Sequence, residues 1–368
     1  MTEEQQDILS LYGVPGVGAK TFARLAVRFG SAGAVFAASD RELLAVEGIG
    51  PVLLGNIRGF DRAAFLCMQK KLMDRCGAIT VTRGDPEYPP QLNAFPSAPP
   101  VLFVRGDVSV LKLPSLAYVG TRHPTSWGLA MTAKLAAGAA RAGFCVVSGM
   151  AAGIDTAAHR AVLEEGGKTA AVFGCGVDII YPVENQRLSE EIRRSGCLVS
   201  HFPMGTKGSP GNFPARNALV VGLTCGTIVV EAPKKSGALI TANLTLRAKR
   251  PLFAVPGNAD SDASEGTNAL LGAGALPISR FEQVLSALGQ YVPPASRTGS
   301  ITPRRVGKPP LPPGLGGVIL GALESEPLQV ETLCAKLGQP IHIIMAELTM
   351  LEMDGLIRQK QGKVFERV

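Results

Sequence analysis

Between about residue 79 and residue 289 the chain alternates short apolar runs with amphipathic stretches, and this alternation limits its fold more than any other feature. The apolar runs are LAYVGT (116–121), CVVSGM (145–150), TAAVFGCG (169–176), CLVSHFP (197–203), GTIVVEA (226–232) and PLFAVPG (251–257). Several are apolar throughout, as strands covered on both faces must be. Helical patterns fill the gaps at 126–142, 155–165, 185–195 and 237–248. Strand–helix alternation of this kind predicts an α/β domain with a doubly wound, Rossmann-like parallel sheet over 79–289. Ligands of such sheets bind where the strands end, so the residues just after each run are the first candidates for a site.

The flanks read differently. Within 1–78, VPGVGAKTFARL (14–25) and VEGIGPVLLGNI (46–57) share a glycine pair followed by an apolar helical run. This is the helix-hairpin-helix pattern of a SAM-like helical domain. Its glycines either hold a phosphate on free N–H groups at a helix N-terminus or only turn the chain between packed helices. Lys20 is the main basic residue beside the first pair. Residues 290–313 are rich in proline, carry four basic residues and no acid, and read as an extended basic linker. The last part, 314–368, predicts helices at 316–324, 329–337 and 341–354. LIRQK (356–360), a turn at Gly362 and KVFERV (363–368) follow, and together these make a winged helix.

At 46% hydrophobic and 18% charged the chain is a globular protein, not a disordered one. No apolar run is long enough for a membrane span, and the polar, acidic start does not read as a signal peptide. Seven cysteines without a CxxC pair read as buried free thiols in a reducing cytoplasm. With four histidines, no metal site and no cofactor are expected. The net charge of +7 permits a polyanionic partner. The positive excess lies in the middle of the chain and the linker; 314–368 holds five basic and seven acidic residues.

Glycines close the predicted strands at Gly120, Gly149, Gly174, Gly176 and Gly257, letting a ligand approach the backbone closely. Polar residues accompany them: Thr121, Arg122, Ser148, Asp155, His159, Arg216, Asn217, Glu231, Ser236 and Thr241.

These stretches resemble the DNA-processing protein A (DprA/Smf) family. The residues that carry the resemblance are YPPQL (88–92), PPVLFVRGD (99–107), YVGTRHPTSWG (118–128), VVSGMAAGIDTAAH (146–159) and GGKTAAVFGCGVDIIYPVEN (166–185). FPARN (213–217), VVEAPKKSGALITA (229–242), FAVPGN (253–258) and SEGTNALLGAGA (264–275) complete it. The resemblance implies a protein, not an enzyme, that binds and protects single-stranded DNA and loads RecA recombinase onto it during natural transformation. It also implies a homodimer formed through the Rossmann-like domain. The implied DNA-binding residues are Gly120, Thr121, Arg122, Ser148, Gly149, Gly153, Lys207, Phe213, Arg216 and Asn217. Asp155, His159, Gly174, Glu231, Ser236 and Thr241 would support the groove. An arginine beside exposed N–H groups suits a phosphate, and an aromatic ring suits an unstacked base. Phe213 and Arg216 have bland alternatives, as a core aromatic and as a brace of the sheet. The chain departs from the family pattern at Thr121 for the usual serine, Ala152 for a basic residue, His201 for a common glutamate, and Ala218 for a second arginine.

Two other readings compete. GLTCGTIVVEA resembles the phosphate-gripping motif of LOG-type nucleotide hydrolases, but lacks its leading glycines and has shifted the glutamate. Asp155 and His159, four apart on a predicted helix, could meet as a general base pair, yet no nucleophile has an evident place beside them. Asp155 is better read as a cap for that helix. A winged-helix transcription regulator would read DNA with 341–355, but that helix has Glu347, Glu352 and Asp354 and no Lys or Arg. Such a helix suits a protein partner better.

Overall fold

The computed structural model describes residues 1–289, 315–323, 327–353, 356–360 and 364–367. They form two compact units that divide near residue 302. The basic linker 290–313 and the turn at Gly362 lie outside the described residues.

The first unit is built on nine strands: β1 (Ile79–Thr82), β2 (Val101–Gly106), β3 (Ser115–Val119), β4 (Cys145–Ser148), β5 (Thr169–Val172), β6 (Cys197–Ser200), β7 (Gly226–Val229), β8 (Leu252–Ala254) and β9 (Leu276–Pro277). They lie in the order β1-β2-β6-β5-β4-β3-β7-β8-β9. From β6 to β9 every pairing is parallel. The chain starts at β3, winds outward through β4, β5 and β6, then crosses back to lay β7 on the other side of β3. That reversal opens a crevice at the carboxyl ends of β3 and β7. β2 pairs antiparallel with β6, and β1 antiparallel with β2, so the parallel sheet gains an antiparallel edge. No helical crossover is needed for antiparallel neighbours, so the strand–helix rhythm of the sequence does not signal this edge.

Strands β3 to β7 are buried along their whole length, which accounts for their unbroken apolar sequences. Helices Ser126–Arg141 and Ile154–Glu164 cover one face, with Leu135, Ala139, Ala158 and Val162 against Leu116, Tyr118 and Val146. Helix Asn212–Leu223 covers the other, with Leu219, Val220 and Leu223 against Ala117, Val147 and Val172.

Six helices precede the sheet, from Glu3–Gly13 to Arg62–Cys76. Gly16 (φ 93°) and Gly48 (φ 88°) turn the two hairpins in the left-handed region. The helices share one core with the sheet: Leu9, Leu11 and Leu25 belong to the same apolar cluster as Val101, Phe103 and Leu198. Polar ties reinforce it, with Tyr12 Oη 2.9 Å from His201 Nδ1 and Gln69 bonded both ways to the Met204 backbone.

The second unit holds helices Leu315–Ala322, Val330–Leu337 and Ile341–Met353 beside strands β10 (Leu328–Gln329), β11 (Ile357–Lys360) and β12 (Val364–Arg367). The sheet order is β10-β12-β11, a winged helix with its own core around Ile319, Leu333, Leu348 and Phe365. Among the described residues no helix is long and apolar enough to cross a membrane.

Candidate functional site

The strand ends are stitched together by backbone. Thr121 N–H donates to Glu231 O at 2.7 Å, joining the segment after β3 to that after β7. Ile154 N–H donates to Thr121 O at 3.2 Å, bringing in the loop after β4. Gly153 makes this possible: its φ is 84°, and a Cβ there would lie 2.4 Å from Thr121 O. The carboxylate of Glu231 is buried and accepts from Thr125 N–H at 2.8 Å and Thr125 Oγ1 at 2.7 Å. It rests against Gly128, where a Cβ would come within 2.4 Å of it. Glu231 therefore anchors the start of helix Ser126–Arg141, a position that also suits the helix dipole.

Helix Asn212–Leu223 brings the second set of side chains to this edge. Phe213, Arg216 and Asn217 fall on one face by their three- and four-residue spacing. Phe213 stands in the first turn of the helix. Pro214 is in the first turn of the helix that begins at Asn212, where proline forfeits no hydrogen bond. A Cβ on Gly174 would lie 3.2 Å from the Phe213 ring, so the ring sits close over the end of β5.

The two arginines have different surroundings. Arg216 is 7% exposed. It donates to Gly149 O, to Val172 O at 3.1 Å and to Asn217 Oδ1 at 2.9 Å, bridging the ends of β4 and β5. A Cβ on Gly149 would overlap its guanidinium. Asp155 lies beneath, accepting from Gly149 N–H at 3.0 Å and Ala151 N–H at 3.4 Å. Burial raises the Asp155 carboxyl pKa, opposed by the Arg216 charge. Burial lowers that of Arg216, with the nearby Arg122 charge adding and Asp155 opposing. Arg122, by contrast, is exposed. Its guanidinium carbon is 5.6 Å from the Phe213 ring centroid, and that of Arg216 is 5.7 Å away.

Between the segments after β3 and β7 lies a cleft of about 450 Å³, which Arg122, Phe213, Arg216, Asn217 and Thr241 line. A smaller pocket of about 80 Å³ adjoins it, between Arg122, Tyr181 and Phe213. Tyr181 is 51% exposed, with its ring 6.4 Å from that of Phe213 at 36°. Sequence reasoning singled out neither Tyr181 nor Lys235, an exposed lysine that also lines the cleft. Both stand inside matched motif stretches, and a single sequence does not show which side chains turn outward.

Other expected residues lie elsewhere. Ser148 is fully buried and donates to Tyr118 O at 2.6 Å, tying β4 to β3. Lys207 is exposed in the loop before helix Asn212–Leu223, where its carbonyl accepts from Asn212 Nδ2 at 3.3 Å. Ser236 Oγ accepts from Ala238 N–H at 3.2 Å at the start of helix Ala238–Arg247, at the cleft wall. Asp155 does not cap its helix, because Gly153 takes the cap position and the carboxylate turns back to Gly149 and Ala151. Nor do Asp155 and His159 meet. His159 is fully buried with Nδ1 2.7 Å from Thr169 Oγ1, and burial pushes its pKa down to about 3.

The site thus offers an exposed cation beside two aromatic rings, on a frame held by a buried arginine and a buried carboxylate. Such an arrangement suits phosphates and flat bases. The family model described as DNA recombination-mediator protein A matches residues 79–289, and the DprA winged helix domain matches 306–363. Protein Smf of Synechocystis sp. is 34% identical over 99% of both chains. The structure of DNA processing protein A from Streptococcus pneumoniae superposes with a TM-score of 0.67 at 30% identity, covering 78% of this chain and 98% of that one. The protein from Helicobacter pylori, whose structure was described for its single-stranded DNA binding mode, gives a TM-score of 0.53 at 30% identity, with coverage of 59% and 97%.

Proposed function

Because the chain belongs to the DNA recombination-mediator protein A family, we propose that its cleft grips single-stranded DNA and that the protein acts by binding, not by turnover. The observation that carries this reading is the exposed Arg122 guanidinium over the Phe213 ring, with Tyr181 beside it. Arg122 takes a phosphate, and the rings take bases that only an unpaired strand can present. Gly120, Gly149, Gly153 and Gly174 let Ile154, Arg216, the Thr121 carbonyl and Phe213 pack close against the strand ends, and Thr121 ties the β3 end to Glu231. Arg216, Asn217, Asp155 and Glu231 fix the frame, and Lys207 and Lys235 add outlying positive charge for the strand. Ser148, His159, Ser236 and Thr241 brace the walls.

The reading extends to the protein's place in the cell. It protects incoming single strands in the cytoplasm during natural transformation and hands them to RecA, as a homodimer joined through the Rossmann-like unit. Two grooves in one dimer would raise avidity for a long strand. Inactivity as a hydrolase is supported by Glu231, whose oxygens both serve Thr125, and by His159, which lies sealed in the core. The winged helix reads no duplex: among its described residues, helix Ile341–Met353 holds Glu347 and Glu352 and no Lys or Arg.

The test uses the whole chain, since the first helices share the core of the sheet. Binding to oligo-dT and to a matching duplex is measured across a salt series. The expected result is tighter binding to the single strand with little sequence preference. Equal or tighter binding to the duplex would refute the proposal.

A further inference from the structure

Arg122 reaches the cleft of about 450 Å³ from the segment after β3; the segment after β7 brings a second set of polar groups to it. Lys235, Ser236, Gly237 and Thr241 line the cleft there. Turns fix the loop that carries them: Ser236 N–H donates to Pro233 O at 3.0 Å, and Gly266 N–H donates to Ala232 O at 2.8 Å. Helix Ala238–Arg247, ten residues long, starts directly after this loop with no acidic residue in its first turn, so its dipole is not neutralised by a side chain of its own. Its first amides are already used, Ala238 N–H by Ser236 Oγ and Leu239 N–H by Ser236 O. The groups that remain open lie around that helix start.

Thr241 is only 2% exposed. A threonine inside a helix commonly bonds the carbonyl one turn back, as Thr132 Oγ1 does with Gly128 O at 2.7 Å and Thr245 Oγ1 with Thr241 O at 2.9 Å. Thr241 Oγ1 does not. It has no hydrogen-bond partner among the described residues, and it is not one of the unpartnered polar atoms sealed in the core, so the little surface that Thr241 shows includes its hydroxyl. That surface is on the cleft. Gly237, four residues earlier, lies on the same side of the helix. Its N–H makes no hydrogen bond among the described residues, and a Cβ there would meet nothing within 4 Å, so the space around it is clear. Ser236 Oγ accepts from Ala238 N–H at 3.2 Å and keeps its own proton to donate. Lys234 is paired with Glu265 at 2.9 Å, whereas Lys235 is exposed and has no ion pair among the described residues. The one carboxylate among the described residues that line the cleft, Asp155, is turned to the Gly149 and Ala151 N–H groups.

The hydroxyls can donate or accept, but the Gly237 N–H and the Lys235 ammonium only donate, and the charge sets the sign of the ligand. An anion with several oxygens fits this combination. We propose that this wall is a second phosphate seat, separate from Arg122, in which Lys235 supplies the charge and Gly237 N–H and Thr241 Oγ1 donate to the phosphate oxygens. The phosphate is either an internal one of a DNA strand or the terminal phosphate of its end, which carries a second charge and a third free oxygen. The proposal rests on the single-strand reading given above. It adds that two phosphates hold the strand, one on the segment after β3 and one on the segment after β7, and it gives Thr241 a binding role beyond bracing the wall.

Inorganic phosphate is the first probe. It is titrated into the full-length protein at about pH 8, where it is doubly charged, while the amide signal of Gly237 is followed by NMR; chloride at the same ionic strength is the control. The expected result is a saturable shift with phosphate and none with chloride, lost in Lys235→Ala and in Thr241→Val. Valine keeps the branched shape and removes a hydroxyl that no described protein group uses. Should Thr241→Val fail to fold, Lys235→Ala changes only an exposed side chain. Oligo-dT is the second probe. Thr241→Val should lower its affinity about tenfold, with Thr241→Ser recovering most of the loss. Lys235→Ala should flatten the plot of log affinity against log salt by about 0.7, in addition to the effect of Arg122→Ala. A loss confined to oligo-dT with a terminal phosphate assigns the seat to the strand end; an equal loss with and without that phosphate assigns it to an internal one. A Gly237 signal that phosphate does not move, or folded Thr241→Val and Lys235→Ala proteins that bind both kinds of oligo-dT as the wild type does, overturns the proposal. Free phosphate needs no strand, so a phosphate shift in a wild-type protein that fails to bind oligo-dT would uphold the seat and refute the single-strand reading.

Discussion

Arg122→Ala isolates the phosphate contact at the centre of the proposed groove. The side chain is exposed and forms no ion pair or hydrogen bond among the described residues; its guanidinium lies 5.6 Å from the Phe213 ring centroid, and its charge disfavours that of the nearby Arg216. Removing it should cost little folding stability, within about 0.5 kcal/mol as for other surface positions. The cost to binding is larger. A charge-assisted hydrogen bond to a phosphate contributes about 1.5–3 kcal/mol, so affinity for oligo-dT should fall about 10- to 100-fold. One lost phosphate contact should also flatten the plot of log affinity against log salt by about 0.7. The loss should be equal for all base sequences, because phosphates carry none of the sequence information. Arg122→Lys should recover part of the affinity, since the charge remains and the planar fork does not. Fluorescence anisotropy over a salt series, on protein shown by circular dichroism and melting temperature to be folded, measures all of this. A folded Arg122→Ala protein with wild-type affinity and wild-type salt slope would refute the reasoning.

Arg216→Ala should behave in the opposite way: it removes donors to Gly149 O and Val172 O and strands the buried Asp155 carboxylate, so chemical denaturation should show a loss of about 3 kcal/mol or more. Gly153→Ala should destabilise by about 2 kcal/mol or more, because it strains a φ of 84° and drives a methyl into Thr121 O; a melting temperature equal to wild type would contradict this. Stability should fall as pH drops below about 6.5. His159 and His201 have folded pKa values pushed down to about 3 and about 4, so the unfolded chain binds more protons in this window. Each then costs up to about 1.4 kcal/mol per pH unit until its folded pKa is reached, which urea titrations from pH 7 to pH 4 would register.

The fold class was legible in the sequence because burial on both faces forces strands β3 to β7 to be apolar throughout, and intervening helices force the sheet to be parallel. The same rhythm hid β1 and β2, whose antiparallel pairing needs no helix between them. Glycines at the strand ends are needed there for close packing, since a Cβ at Gly120 would meet Ile154, one at Gly149 the Arg216 guanidinium and one at Gly153 the Thr121 carbonyl. Residue type alone did not decide what each polar side chain does there. Arg122 and Arg216 both read as cations of the groove, with bracing of the sheet as the alternative for Arg216; Arg122 lies in solvent, while Arg216 is sealed among carbonyls at the ends of β4 and β5. Spacing suggested that Asp155 and His159 meet on one helix, but the loop amides of Gly149 and Ala151 claim the carboxylate and Thr169 claims the imidazole. Tyr181 reached Phe213 across thirty-two positions of chain, and Tyr12 reached His201 across 189. Local sequence sets periodicity, caps and turns. Which side chains share a cavity depends on how layers pack across the sheet, and that is decided only when distant segments compete for the same buried donors, acceptors and space.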